Sequence, residues 1–136
     1  WRVCRNILVT ETDEEGAQLL TDPDGVIAHY FRYIRGVRQI EEFQSLQQEP
    51  LPLLNEFLEV PAALEDCAIV GAADTVLARL VELVDELGPF GTLVMVAHDW
   101  DESGLSQGSM HRMAEDILPQ LKQHVDSLGP ERWIES

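Results

Sequence analysis

The amino-acid sequence predicts an α/β fold in which parallel strands are connected by helices. Hydrophobic patterns along the 136 residues alternate in the order strand, helix, strand, helix, strand, helix, which is typical of parallel sheets with helical crossovers. The segment Gly91–Ala97 is apolar throughout, as expected for a strand that is covered on both faces. A hydrophobic content of 45% is enough for a core. We therefore expect residues 1–136 to belong to a single unit.

The first predicted strand is Val3–Thr10, a short segment rich in β-branched and apolar residues. Thr12 and Glu15 follow with the spacing of a capping box, in which the hydroxyl binds a helix amide and the carboxylate reaches back. This spacing predicts a short helix over Asp13–Leu20.

A second helix is predicted to start at Asp22 as the N-cap, with Pro23 in the first helical position. Gln39–Pro52, further along, is polar, rich in glutamine and closed by two prolines, which predicts a loop or an insertion. The second helix is expected to bury an apolar stripe that recurs at helical spacing: Val26, Ile27, Tyr30, Phe31 and Ile34.

The boundaries are clearer in the second half of the chain. Ala68–Val70 is predicted to be a short buried strand, and Asp74 the N-cap of the helix that follows. Gly88 is expected to end that helix in a left-handed conformation, which glycine adopts without steric cost. The last helix is predicted to be capped by Ser109 and kinked at Pro119, whose ring removes one backbone hydrogen bond.

The composition excludes several classes of partner. The formal net charge is −16, so phosphate backbones and anionic membrane surfaces would be repelled, and we expect neither nucleic-acid nor membrane binding. No apolar run approaches the roughly 18 residues that a membrane-spanning helix needs. The two cysteines, Cys4 and Cys67, match neither a disulfide framework nor a zinc site. These features favour a cytoplasmic protein with reduced thiols and no bound metal.

The predicted sheet has two open edges, because only three strands are visible, and proteins usually cover such edges. The chain also begins at Trp1, within a predicted strand and without an initiator methionine. We therefore expect either a piece of a longer protein or a homo-oligomer in which another copy covers the edges.

Gly104–Gly108 has the sequence GLSQG, which matches the G-x-S-x-G pattern of serine hydrolases. A nucleophile turn places its serine on a sharp bend directly between a strand and a helix, whereas residues 98–103 separate Gly104 from the predicted strand. Only one helix and a short tail follow Ser106, which leaves little chain for the other members of a triad. We therefore interpret this segment as a flexible connection and keep serine hydrolysis as a less favoured alternative.

The best-positioned candidates for function are His98, Asp99 and Trp100, which directly follow the last predicted strand. Functional residues of α/β sheets and barrels lie at the carboxyl ends of the strands. His98 is able to exchange a proton, and Trp100 is able to lie against a flat ligand. The alternative is that His98 only hydrogen-bonds the loop and that Trp100 only fills the end of the sheet.

The turn at Gly71 and Ala72 is a weaker candidate. Its backbone amides are predicted to lie at the positive end of a helix, where they are suited to bind an anion. Asp74 would compete with a phosphate for these amides, so plain capping by Asp74 is the favoured alternative.

With these residues placed, the chain resembles the luciferase-like flavin-dependent monooxygenases, which are (β/α)8 barrels that use reduced FMN and oxygen. The resemblance rests on three stretches in order: RVCRNILVTETDEEGAQLL, AIVGAADTVLARLVELVDELGPFGTLVMVAHDW and MHRMAEDILPQL. They look like a late barrel strand with its helix, the following turn and helix with the last strand, and the terminal helix. The PFGT and HDW segments are most similar to the branch that includes limonene-type monooxygenases.

The resemblance implies that residues 1–136 are the C-terminal portion of a (β/α)8 TIM barrel, about three βα units and incomplete as a lone chain. It implies a parent enzyme that uses FMN and O2 to oxygenate a small organic substrate, with a separate flavin reductase as a possible partner. His98, Asp99 and Trp100 would line the barrel mouth near the flavin or substrate. The chain alone is expected to be inactive, because most flavin contacts would come from earlier strands. The alternative is a non-catalytic α/β module that self-associates through its strand edges.

Overall fold

The computed structural model describes residues 2–38, 68–88, 90–97 and 104–129, except for the side chains of residues 26 and 35–38. The predicted loop Gln39–Pro52 lies outside these residues. Within them, no helix is long and apolar enough to cross a bilayer. The elements are β1 (Arg2–Val9), α1 (Asp13–Thr21), α2 (Val26–Arg38), β2 (Ala68–Gly71), α3 (Ala73–Leu87), β3 (Thr92–Val96), α4 (Leu105–Arg112), a π-helical segment (Met113–Ile117) and α5 (Leu118–Ser127).

The three strands form one parallel sheet in the order β2-β1-β3. β2 pairs with the carboxyl half of β1, from Asn6↔Ala68 to Val9↔Gly71. β3 pairs with the amino half, from Arg2↔Thr92 to Asn6↔Val96. The predicted mixed α/β fold with parallel strands is therefore confirmed. The order differs from that of three consecutive barrel strands, in which the second strand in the chain would lie in the middle.

β3 is less buried than its sequence predicts. Thr92 is exposed and the other four residues of the strand are only partly buried. The prediction that helices cover both faces of this strand is therefore wrong for the described residues. The physical reason is position, because β3 pairs only with β1 among the described strands and lies at the edge of the sheet.

The hydrophobic core lies between one face of the sheet and the helices α3, π and α5. Ile7 and Ile69 are register partners, so their side chains point to the same face. α3 contributes Val76, Leu80 and Val84, which recur at the spacing of one helix face. The buried cluster comprises Ile7, Val9, Ile69, Val76, Leu80, Val84, Met113, Ile117 and Leu121.

The capping box at the start of α1 is confirmed. The Glu15 amide donates to Thr12 Oγ1 over 3.2 Å, and Glu15 Oε2 accepts from the Glu11 amide over 2.9 Å. The carboxylate thus reaches one residue beyond the usual N-cap amide. α1 ends at Thr21, one residue after the predicted end.

The predicted start of α2 at Asp22 is wrong, because that residue ends α1 instead. The Asp22 amide donates to the Gln18 carbonyl over 2.9 Å. Its side chain then accepts a 3.0 Å hydrogen bond from the Asp24 amide, which forms a turn of the kind that aspartate favours. Pro23 lies in this turn, and α2 begins at Val26. Ile27 of the predicted stripe is fully buried.

The predicted disturbance at Pro119 takes the form of a π-helical turn. The Leu118 amide donates to the Met113 carbonyl, five residues back. In a regular α-helix, the proline ring would collide with the carbonyl of Glu115 and leave it without a donor. The wider turn lies directly before Pro119 and still buries Met113 and Ile117. α4, this turn and α5 therefore follow one another without a break.

Gly88 ends α3 as predicted, with φ 68° and ψ −160°. This combination is open essentially to glycine alone, although it lies outside the left-handed helical region that we expected. The Gly88 amide donates to the Val84 carbonyl over 3.1 Å and so completes the last turn.

Candidate functional site at the carboxyl ends of the strands

The carboxyl ends of β1 and β2 lie side by side. Val9 pairs with Gly71, and the Thr10 amide donates to the Gly71 carbonyl over 2.8 Å. Thr10 is almost fully buried, and its hydroxyl donates to the Thr12 carbonyl over 2.8 Å. This bond turns the chain from β1 into α1. In parallel α/β sheets, ligands bind at this end of the strands.

The Asp13 carboxylate joins the start of α1 to the start of α3. Its Oδ1 accepts a 2.8 Å hydrogen bond from the Ala72 amide, and its Oδ2 accepts a 2.9 Å bond from the Thr75 hydroxyl. The two ends of this contact are about sixty residues apart in the chain. The turn at Gly71 and Ala72 thus binds an anion, and that anion is a side chain of the same chain.

The predicted N-cap at Asp74 is therefore wrong. α3 begins at Ala73, so Ala72 is its N-cap and Asp74 lies exposed in the first turn. Ala72 has no polar side chain, and Asp13 supplies the acceptor for the N-cap amide from another helix. The charge of Asp74 still suits the positive end of the helix.

Two glycines make this close approach possible. Gly71 has φ +154°, and a Cβ atom there would lie 2.7 Å from Asp13 Oδ1. A Cβ atom on Gly16 would lie 3.0 Å from the Gly71 Cα atom. Both distances are shorter than most Cβ contacts, so the absence of side chains at Gly16 and Gly71 allows α1 and Asp13 to lie this close to the end of β2 without displacing their neighbours.

A second connection at the same end joins β1 to α4. The Val9 amide donates a 2.7 Å hydrogen bond to Ser109 Oγ, and both residues are fully buried. Ser109 lies inside α4, which begins at Leu105 after Gly104, so its predicted role as the helix cap is wrong. Its hydroxyl points to the sheet and satisfies a strand amide instead.

Arg112 completes the edge of β1 beside Ser109. Its Nη1 donates to the Val9 carbonyl over 3.4 Å, and its Nη2 forms a 2.8 Å ion pair with Glu11 Oε1. A Cβ atom on Gly108, one turn earlier, would lie 3.1 Å from Arg112 Nη1. Gly108 therefore gives the guanidinium room to reach back to the strand.

The main positional candidates, His98, Asp99 and Trp100, lie outside the described residues, which break off at Ala97 and resume at Gly104. Their place at the mouth of the site stays a prediction. Among the residues that are described, no group of three potential ligands could hold a metal ion.

Ser106 lies within α4 and is buried. A nucleophile turn needs its serine on the bend that precedes the helix, but Gly104 takes the N-cap position here, with φ 73°. The two histidines on the C-terminal helices lie beside acidic residues. His111 Nδ1 is 4.0 Å from Glu115 Oε1, and His124 Nε2 is 3.2 Å from Asp85 Oδ1. The geometry of α4 thus disfavours Ser106 as a nucleophile.

Sequence patterns did not reveal Asp13, Ser109 or Arg112 as residues that organise this end of the sheet. Asp13 follows a capping threonine, so its ordinary role would be a charge in the first helical turn. Its partners, and those of Ser109 and Arg112, lie 59 to 103 residues away. The available signals were the glycines at positions 16, 71 and 108, which mark close approaches but do not name the partner.

No family model and no curated protein matches this chain. A solved structure does: the oxygenating constituent of 3,6-diketocamphane monooxygenase from the CAM plasmid of Pseudomonas putida, a type II Baeyer–Villiger monooxygenase in complex with FMN. The two share 24% sequence identity and a TM-score of 0.62 over 88% of this chain. The match covers 33% of that protein, so this chain spans about a third of its length. The likeness gives no support to the limonene-type branch, and at this identity it establishes that the chain has the fold of part of an FMN-binding monooxygenase.

Proposed function

We propose that this chain is part of a luciferase-like, FMN-dependent monooxygenase that oxygenates a small organic substrate with O2. The observation that carries the proposal is the likeness over 88% of the chain to part of an FMN-bound monooxygenase. The three sequence stretches that resemble the luciferase-like enzymes support it independently. Under this proposal, the chain supplies part of a (β/α)8 barrel, and the remaining strands belong to the rest of the protein. The order β2-β1-β3 means that the three described strands are not three consecutive barrel strands.

The described residues do not fit the phosphate of FMN. At the carboxyl ends of β1 and β2, the Ala72 amide is occupied by Asp13, and the Arg112 guanidinium is paired with Glu11. The exposed carboxylates of Glu11 and Asp74 would also repel a phosphate. The flavin phosphate would therefore be held by residues outside the described part of the chain.

The described residues contribute support for the site. Asp13, Ser109 and Arg112 hold α1, α3 and α4 against the carboxyl ends of β1 and β2. Flavin, when bound and reduced, would supply the electrons that activate oxygen. The chain's part in that chemistry would be to hold its end of the barrel rigid, since catalytic groups lose rate when their supports move.

His98, Asp99 and Trp100 are the proposed lining of the barrel mouth. His98 would exchange a proton with a reacting group, and Trp100 would lie against a flat ring. Replacing His98 by alanine in the complete enzyme should lower turnover or flavin affinity. Unchanged turnover and unchanged affinity would remove His98 from the site. We further propose a cytoplasmic location and a separate flavin reductase as the source of reduced FMN.

The decisive experiment uses the complete protein that contains this sequence. FMN fluorescence is titrated with protein, and oxygen consumption is followed with chemically reduced FMN in the presence of a cyclic ketone. The proposal expects saturable flavin binding and a substrate-dependent oxygenated product. Neither binding nor product, in protein that is folded by circular dichroism, would contradict it. Ser106→Ala separates this proposal from serine hydrolysis, because only hydrolysis needs that hydroxyl as a nucleophile.

A second candidate function is a non-catalytic module that self-associates through its strand edges. The partly exposed β3 favours it, because an edge strand of apolar residues is a template for pairing. Sedimentation of the complete protein with and without FMN distinguishes the two: a non-catalytic module forms a defined oligomer and binds no FMN, whereas the monooxygenase binds FMN. Covalent labelling of Ser106 by an active-serine probe would instead support hydrolysis.

A further inference from the structure

The turn between β2 and α3 has the general features of a phosphate site. It precedes a 15-residue helix, whose first amides carry the positive end of the helix dipole. It also lies at the carboxyl ends of parallel strands, where barrels and other α/β folds bind phosphate groups. The structure nevertheless disagrees with a phosphate at this position.

The Asp13 carboxylate already has the contacts that a bound anion would make. One oxygen accepts from the Ala72 amide over 2.8 Å, and the other accepts from the Thr75 hydroxyl over 2.9 Å. The surrounding backbone leaves space for this group, because any side chain on Gly71 would collide with Asp13 Oδ1. The capping box fixes the backbone at the start of α1, and Asp13 is the first residue of this helix.

We infer that Asp13 is a permanent intrachain occupant of the β2–α3 turn and closes it to phosphate groups of cofactors and substrates. An incoming phosphate would have to break both hydrogen bonds of Asp13 and then lie beside the displaced carboxylate and Asp74. The phosphate and the two carboxylates are all negatively charged and would repel one another. Both the loss of the Asp13 hydrogen bonds and the placement of the phosphate are therefore unfavourable. This inference holds whether or not the protein uses flavin.

The test follows the Ala72 amide by nuclear magnetic resonance while inorganic phosphate is added. In the wild type, the Ala72 resonance should not shift in a saturable way. In Asp13→Ala, it should shift saturably, with an apparent Kd at least about tenfold lower than any wild-type value. Phosphate should also raise the Tm of Asp13→Ala more than that of the wild type, because it replaces the lost anion.

Asp74→Ala is the matched control, since it also removes one aspartate carboxylate beside the β2–α3 turn, from the first turn of α3, and leaves the Asp13 contacts in place. It should behave as the wild type does. A saturable shift of Ala72 in the wild type overturns the inference, and this result does not depend on whether any variant folds. The absence of a phosphate-induced shift in folded Asp13→Ala also overturns it, as does an equal response in Asp74→Ala.

Discussion

The backbone amide of Val9 donates a 2.7 Å hydrogen bond to the side chain of Ser109, one hundred residues further along the chain. β3 pairs with β1 only as far as Asn6, so Val9 lies beyond the last pair on that side of the strand. The Thr10 amide bonds to β2, and successive residues of a strand point their hydrogen-bonding groups to alternate sides. Ser109 and Arg112 therefore occupy the place where a neighbouring strand would continue.

Replacing Ser109 by alanine should destabilise the protein by about 1–3 kcal/mol, because it leaves the buried Val9 amide without an acceptor. Urea denaturation measures the free energy of unfolding. Ser127→Ala is the control, since the Ser127 hydroxyl bonds to the His124 carbonyl at an exposed position. Its effect should stay within about 0.5 kcal/mol. Equal effects of the two changes would show that the Val9 bond has no special importance.

The helical glycines at positions 16 and 108 should respond differently to alanine. Gly16→Ala places a methyl group against backbone atoms of Gly71, so overpacking of about 1–3 kcal/mol should outweigh a helix-propensity gain of up to about 1 kcal/mol. In Gly108→Ala, the new methyl group would contact only the guanidinium end of the Arg112 side chain, which is able to move. It should be neutral or stabilising. Thermal denaturation of both variants decides, and a Gly16→Ala protein as stable as Gly108→Ala would contradict the packing described.

Two adjacent residues where the π-helical turn ends should differ sharply in their contribution to stability. Ile117 is fully buried, whereas Leu118 is 47% exposed. Ile117→Ala should cost about 2–5 kcal/mol through lost burial and the cavity left behind. Leu118→Ala should cost less than about 1 kcal/mol. If Leu118 proved the more sensitive residue in denaturant titrations, the orientation of this helix against the core would be wrong.

The ion pair between Arg112 and Glu11 should contribute little to stability. The Arg112 side chain is 27% exposed and that of Glu11 76% exposed, so water screens the pair. A double-mutant cycle with Glu11→Gln and Arg112→Met should give a coupling energy of about 0.2–1 kcal/mol. That energy should fall in high salt.

The control for this cycle is the longer pair of Arg79 and Glu82, which are 3.9 Å apart with both side chains more than half exposed. Its coupling energy should be smaller still. A coupling at Glu11 and Arg112 that is large and unaffected by salt would mean that the pair is far better shielded from water than the structure indicates.

Local patterns in the sequence were enough to predict the order of the elements and several of their ends. The capping box at Thr12 and the glycine at position 88 were recognisable because each signal depends on neighbours within a few residues. The start of α2 was misplaced for a related reason. Asp22 is equally suited to start a helix or to form a turn after one, and the neighbouring residues do not decide between these two roles.

The candidate site was only partly predictable. The turn at Gly71 and Ala72 was identified as suited to an anion, and the structure shows that an anion is bound there. The identity of that anion, Asp13, could not be predicted, because a carboxylate in the first turn of any helix has a sufficient local explanation. Ser109 was misassigned as a cap for the same reason, since a serine near the start of a helix is most often one.

By itself, the sequence therefore determined the α/β class and the succession of strands and helices, since the periodicity of hydrophobic residues is a local property of the chain. Only the tertiary structure decided that β1 lies at the centre of the sheet, that β3 is an edge strand, and that Asp13 and Ser109 join distant elements. The hydrogen bonds of Asp13 and Ser109 join residues that are 59 to 100 positions apart in the chain. Such long-range contacts result from the packing of the elements and from the need of each buried polar group for a hydrogen-bond partner. The spacing of residues in the sequence does not predict them.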